Sequence, residues 1–302
     1  MSVYDIEQII KKRYSDIFEF EELLKNNSPS YKTLAIEKKN GNFRLLSIPR
    51  AADVLVQEHI LNFLHKENLD FLPCVMAFRG GISILDNAKS HIGNNFLIHY
   101  DLRDFFDTIH RKRVKEELTK RNVNPTLIKI IMKWCFHNGH LPQGAATSPF
   151  LANLVCENLD RRFSVLAKKI DAIYTRYADD IIISGKENIL NYQTIYKKII
   201  RTEKFFINHS KTRISVLDKT ETRKNFPNQK FFVPYHIITG LAVNENRVFV
   251  RPSYLSKIWD ELKAGEITAS LLGKISFVNF IDSIEGSKLC DYVKNKLEDI
   301  PF

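Results

Sequence analysis

Cysteine is scarce in this chain of 302 residues: there are four, Cys74, Cys135, Cys156 and Cys290, far apart and never as C-x-x-C. Such spacing suggests neither a zinc site nor a disulfide framework, and it suits a reducing compartment. No run approaches the ~20 apolar residues of a membrane helix, so no membrane partner is expected. The first residues carry Asp5 and Glu7 and lack the apolar core of a secretory leader. Repeats and low-complexity tracts are missing too. These absences lead to the expectation of a soluble, cytoplasmic protein. What is present is ordinary for a globular chain, with 44% hydrophobic and 26% charged residues and length enough for two or three packed units. The net charge of +10 favours a polyanionic partner.

Apolar spacing predicts an amphipathic helix or helix pair over 3–25. Two strand-like runs, Tyr31–Ile36 and Phe43–Ile48, flank Asn40-Gly41, a strong hairpin signal. Helices are predicted over 51–68, from Ser83 through His91, over 111–121 and 125–137, and as one long helix from Ser148 to Lys169. Phe96–Tyr100 reads as a buried strand that delivers Asp101 at its end. A helix follows at 189–205, then strand-like pieces at 207–217 and 231–250, then three short helices over 253–300. The expected class is α+β, with helices packed on one face of a sheet and the last helices forming a separate small unit.

Tyr177-Ala178-Asp179-Asp180 stands at the centre of the chain, between the apolar runs Ala172–Tyr177 and Ile181–Ile183. The pattern reads as strand, tight turn, strand, with acids at the tip. Adjacent carboxylates held at such a turn repel each other unless a cation neutralises them, and hard oxygen ligands suit Mg²⁺. Asp101, ending its own strand, would bring a third carboxylate. Three converging acids suit two Mg²⁺ ions ~3.5–4 Å apart, the geometry of in-line phosphoryl transfer.

Phe96–Phe106 (FLIHYDLRDFF), Leu141–Ala152 (LPQGAATSPFLA), Tyr177–Asp180 (YADD) and Asn208–Thr212 (NHSKT) occur in the order and spacing of the palm motifs of reverse transcriptases, which they resemble. Gly41–Pro49 (GNFRLLSIP) is similar to the fingers motif that precedes them, so the resemblance covers roughly 32–215. Asn87-Ala88-Lys89-Ser90-His91 and Ile238-Thr239-Gly240 resemble two boxes of the bacterial retron reverse transcriptases, N-A-x-x-H and V-T-G, the second with Ile for Val.

The resemblance implies a right-hand polymerase: fingers over 1–95, a palm with an antiparallel sheet over 96–235, and a short helical thumb over 236–302. It implies that Asp101 and Asp179 bind both metal ions, with the Leu102 carbonyl as an additional ligand and Asp180 more peripheral. Phe106 is implied as an aromatic gate against a ribose 2′-OH, and Gln143 as a contact to the nucleotide sugar. Arg44 suits a fork onto triphosphate oxygens. Lys39 or its neighbour Lys38 would add a second contact, and Lys211 would approach the triphosphate as a proton donor. Asn87, His91, Thr239, Gly240, Arg247 and Arg251 are implied in RNA recognition; Tyr254, Lys257 and Trp259 would extend the last two into a basic, aromatic face.

Positive charge concentrates in 103–133 and 201–235, each with a net of +5, so both are candidates to follow a phosphate backbone. The function so implied is RNA-directed DNA synthesis with dNTPs on the chain's own structured non-coding RNA. Priming from a guanosine 2′-OH would give a branched RNA–DNA product, msDNA. No ribonuclease H segment is recognisable, so a host ribonuclease H is expected to trim the template, and an effector or toxin protein is expected as partner in anti-phage defence. The alternatives are a group II intron-like or diversity-generating reverse transcriptase, and a non-polymerising RNA-binding scaffold that restrains an effector.

Overall fold

The computed structural model describes residues 16–37, 41, 43–219, 231–265 and 267–298. Its N-terminal hairpin pairs β1 (Tyr31–Glu37) with β2 (Phe43–Pro49) antiparallel, from Glu37↔Phe43 at the loop to Tyr31↔Pro49. Asn40, in the dipeptide that predicted this turn, lies outside the described residues. Leu34, Ile36, Phe43 and Leu45 all stay exposed, so the hairpin stands away from the core on both faces.

A five-stranded sheet forms the centre, in the order β4-β5-β3-β6-β7. Its strands are β3 (Phe96–Asp101), β4 (Ala172–Tyr177), β5 (Asp180–Gly185), β6 (Arg213–Leu217) and β7 (Phe232–Val233). All pairings are antiparallel except that of the two-residue β7 with β6. A smaller sheet joins β8 (His236–Ile238), β9 (Leu241–Val243) and β10 (Val248–Phe249).

Helices were expected on one face of the central sheet, but both faces are covered. Phe96, Ile98, Tyr100, Ile181 and Ile183 enter a large core with the helices Ala51–Lys66, Arg111–Lys120, Pro125–Trp134 and Glu157–Lys169. Leu97 and Ile182, one residue out of phase, enter a second core with Leu85, Ala88, Ile238, Val243, Ile258, Leu262, Ile275 and Leu289. The helices Pro252–Ala264, Ala269–Ile281 and Ser283–Glu298 are therefore not a separate unit; they share a core with the Leu97/Ile182 face of the sheet. The reason lies in the strands themselves. Continuous apolar runs such as Phe96-Leu97-Ile98 and Ile181-Ile182-Ile183 belong to strands buried on both sides. Each such side chain contributes about 1.5–3 kcal/mol when fully buried.

The helix expected over 148–169 bends at Cys156, where ψ is −3°, into Ser148–Val155 and Glu157–Lys169. The predicted helix near 83–91 is a short one, Ile84–Lys89, closed by a reciprocal Ser83/Asp86 capping box. Among the described residues no helix is long and apolar enough to cross a membrane.

Candidate active site

The register of the central sheet brings the acids together. Asp101, the last residue of β3, is the cross-strand partner of Asp180, the first residue of β5. Tyr177 pairs with Asp180, leaving Ala178-Asp179 as a two-residue hairpin loop. Ala178 has a φ of 57°, the left-handed value that such tight loops require at their first central position. The loop is tied down from two sides. Leu102 N donates to Asp179 O at 2.8 Å, and Arg176 Nη1 donates to Ala178 O at 3.1 Å. Asn208 N donates to Asp101 O at 2.8 Å, which brings the loop carrying Lys211 alongside.

These residues floor a cleft of about 710 Å³ whose lining includes Asp101, Leu102, Phe106, Gln143, Asp179 and Lys211. Phe43 and Leu45 of the hairpin close it from above. Adjacent Phe105 and Phe106 diverge. Phe105 is buried and stacks on Phe205 with centroids 5.7 Å apart, while Phe106 is half-buried in the cleft. Gln143 is fixed by its backbone, whose carbonyl accepts from Ser47 N at 3.0 Å. Gly144 follows with a φ of 121°, and a Cβ there would come within 3.3 Å of Ser47 O, so only glycine lets the loop lie this close to the hairpin. Arg44 sits on β2 opposite Ile36, its side chain outside the described set, and Lys38 and Lys39 lie outside the described residues.

Electrostatically the site is short of positive charge. Burial, followed by the nearby charges of Asp180 and Asp101, pushes the Asp179 carboxyl up to about 6, and Lys211 opposes the rise only in part. Lys211 Nζ meets Asp101 Oδ2 at 2.7 Å and His99 Nε2 meets Asp180 Oδ1 at 2.7 Å. Among the described residues no group of three or more His, Cys, Asp or Glu side chains is arranged to hold a metal ion, and of the three acids only Asp101 and Asp179 line the cleft. Crowded carboxylates opening into a cleft nevertheless fit a divalent cation that uses one or two carboxylates and completes its shell with substrate phosphates and water.

None of the six residues implied in RNA recognition lines the cleft, and two of them are sealed from solvent. Asn87 and His91 are fully buried, His91 against the face of the sheet that Leu97 and Ile182 line, so neither is accessible to an RNA. His91 Nδ1 lies 2.7 Å from Ser184 Oγ and Nε2 lies 2.8 Å from Thr175 Oγ1, which links β4 to β5. Short hydroxyl side chains on that face give the imidazole buried partners, and that is why a polar residue four positions from Asn87 turns inward. Thr239 and Gly240 form the β8–β9 turn, with φ of 45° and 86°, and Thr239 Oγ1 donates to Ile84 O. Arg247 is held within the chain by Asp282, 3.1 Å away, and lies over the Phe249 ring. Arg251 precedes the helix Pro252–Ala264 with its Nε buried and without a hydrogen-bond partner among the described residues. Tyr254 and Trp259 pack on the second core, so the expected basic, aromatic face is divided.

Sequence reading passed over two features of the site. His99 lies two residues before Asp101 and so on its face of the strand, a period-two signal visible in FLIHYD. Arg176 is the one charge in the strand AIYTRY, and it is fully buried against Asp160.

The reverse transcriptase (RNA-dependent DNA polymerase) family matches residues 36–250. Retron Ec86 reverse transcriptase of Escherichia coli is 32% identical over 89% of this chain and 81% of its own length. Retron Ec83 reverse transcriptase, also of Escherichia coli, is 30% identical over 87% and 85%. Retron Mx65 reverse transcriptase of Myxococcus xanthus is 27% identical over 86% and 63%. Among solved structures, telomerase of Candida albicans, in complex with a fragment of telomeric RNA, superposes with a TM-score of 0.54 at 10% identity. That superposition covers 93% of this chain and 58% of the telomerase, and it extends the right-hand polymerase fold to this chain.

Proposed function

The chain belongs to the retron reverse transcriptases and is an RNA-directed DNA polymerase; from that premise we propose that it copies its own structured non-coding RNA from a guanosine 2′-OH, giving a branched RNA–DNA product (msDNA). The observation that carries the reading is one cleft holding Asp101, Asp179, Phe106, Gln143 and Lys211 at the end of the central sheet. Asp101 and Asp179, with the Leu102 carbonyl, would hold two Mg²⁺ ions, and Asp180 would stand at the periphery. When bound, the metal supplies a lowered pKa at the attacking hydroxyl and charge neutralisation at the leaving pyrophosphate.

The chain's own groups do the rest. Phe106 presents its ring where a deoxyribose fits and a 2′-OH clashes. Gln143, on its pinned loop, contacts the sugar. Arg44 and Lys39 take the triphosphate oxygens of the dNTP. Lys211, which pairs with Asp101 at 2.7 Å, would offer its proton to the leaving pyrophosphate. The division into fingers (1–95), palm (96–235) and thumb (236–302) follows the same reading. Arg247, Arg251, Thr239 and Gly240 remain candidate RNA contacts near the second core. In the cytoplasm, a host ribonuclease H would trim the template, and a separate effector protein would couple the product to anti-phage defence.

The test is to purify the protein with its neighbouring DNA expressed, and to run the bound nucleic acid on denaturing gels before and after ribonuclease treatment. A discrete DNA joined to RNA, lost in Asp179→Ala/Asp180→Ala, is the expected result. RNA alone in both samples would favour the scaffold function instead.

A further inference from the structure

His99 precedes Asp101 by two residues on β3 and so shares its face of the sheet. Its cross-strand partner is Ile182, which sets it diagonal to Asp180 and within reach of it. Its Nε2–H donates to Asp180 Oδ1 across 2.7 Å, with side chains 15% and 30% exposed. The other ring nitrogen, Nδ1, is buried and has no hydrogen-bond partner among the described residues. The imidazole makes one polar commitment, and it is to a carboxylate of the site. Asp101 is met differently, by the ammonium of Lys211, which is 52% exposed on a flexible stem.

Resting on the reading of these acids as the metal site, we infer that His99 is a positioning residue that fixes the Asp180 carboxylate against β3 and keeps it out of the donor set of Asp101 and Asp179. An oxygen engaged in a short charge-assisted hydrogen bond must break that bond before it turns toward a cation. With Asp180 held aside, the set stays small enough for phosphate oxygens to finish it. A third free carboxylate would bind the ion before the nucleotide arrives and occupy the positions that the phosphates need.

Mn²⁺ binding to the full chain without nucleotide, read from the EPR signal of free Mn²⁺, tests this in wild type, H99Q, H99L, D180N and H99L/D180N. H99L is expected to bind Mn²⁺ about tenfold tighter than wild type, because the released carboxylate joins the set. H99Q keeps an N–H donor and is expected within about twofold of wild type, and H99L/D180N within about twofold of D180N. Thermal melts establish that each variant is folded. An H99L affinity equal to or weaker than wild type overturns the assignment, and so does a tightening that persists in the D180N background, which would reflect packing alone. H99Q binding as tightly as H99L overturns it as well. Wild-type Mn²⁺ binding that is indifferent to Asp101→Asn would instead overturn the metal reading of the acids, on which this inference rests.

Discussion

Arg176 Nη2 lies 2.7 Å from Asp160 Oδ2, and both side chains are sealed from solvent behind the hairpin that carries Asp179 and Asp180. The guanidinium makes a second bond to Asp160 through Nε, and its Nη1 reaches Asn153 Oδ1 and the carbonyl of Ala178. Tyr174 donates its hydroxyl to the same carboxylate. One buried cation thus fixes the loop on which two of the three acids sit.

Removing one partner leaves an uncompensated charge in the core. Arg176→Met is expected to cost about 3–5 kcal/mol, seen as a lower urea midpoint with an unchanged slope. The double variant Arg176→Met/Asp160→Leu should recover a large part of that loss, because the stranded carboxylate goes with it. If the single variant melts like wild type, the pair does not anchor the loop.

Phe106 is half-buried in the cleft while Phe105 is turned into the core, so the two substitutions should separate cleanly. Phe106→Val is expected to lower the dNTP-over-rNTP ratio of kcat/KM by about 10- to 100-fold with little loss of stability. Phe105→Ala should instead lower stability by about 3–5 kcal/mol. Steady-state incorporation on a homopolymer template measures the first, and denaturant unfolding the second. An unchanged ratio in Phe106→Val would move the gate elsewhere.

Gly144 supports Gln143 at a φ of 121°, with Ser47 O in the way of any side chain. Gly144→Ala should destabilise the loop by about 1–3 kcal/mol. Because the strain falls on the segment presenting Gln143, KM for dNTP is expected to rise more than kcat falls.

Acid should loosen the packing around His91 and His236. Burial, reinforced by the charge of His236, lowers His91 to about 3, and burial lowers His236 to about 4 despite its contact with the Asn94 carbonyl. In the unfolded chain both titrate near 6.5. Below that pH the unfolded state binds protons that the folded state refuses, so stability falls as pH drops toward the folded values. Each histidine adds up to about 1.4 kcal/mol per pH unit. Unfolding free energies measured between pH 6.5 and 4.5 should decline less steeply in His91→Gln than in wild type. Parallel curves would mean that His91 is not the group responsible.

The acids were legible in the sequence because they stand in short local patterns, a strand ending in Asp101 and a turn between β-branched runs, which pairing along β3 and β5 then aligns. His99 was not, since its bond to Asp180 exists only once strand register is known. Nor was the Arg176–Asp160 pair, which joins a strand to a helix across sixteen residues. For Asn87 and His91 the resemblance pointed to RNA, because polarity alone does not reveal that Ser184 and Thr175 would meet the imidazole on two neighbouring strands. The two-sided burial of β3 was written in Phe96-Leu97-Ile98, where three apolar neighbours leave no residue for solvent.

Leu97 and Ile182 give that burial a consequence for how such chains diversify. The face of β3 and β5 that carries Asp101 and Asp180 is, two and four residues further along, the seat of the C-terminal helices. Grafting residues 252–298 from a relative therefore changes the packing next to the acids on their own face unless Leu85, Leu97 and Ile182 travel with them. The C-terminal helices and the acids are free to vary only as far as one shared face tolerates being repacked.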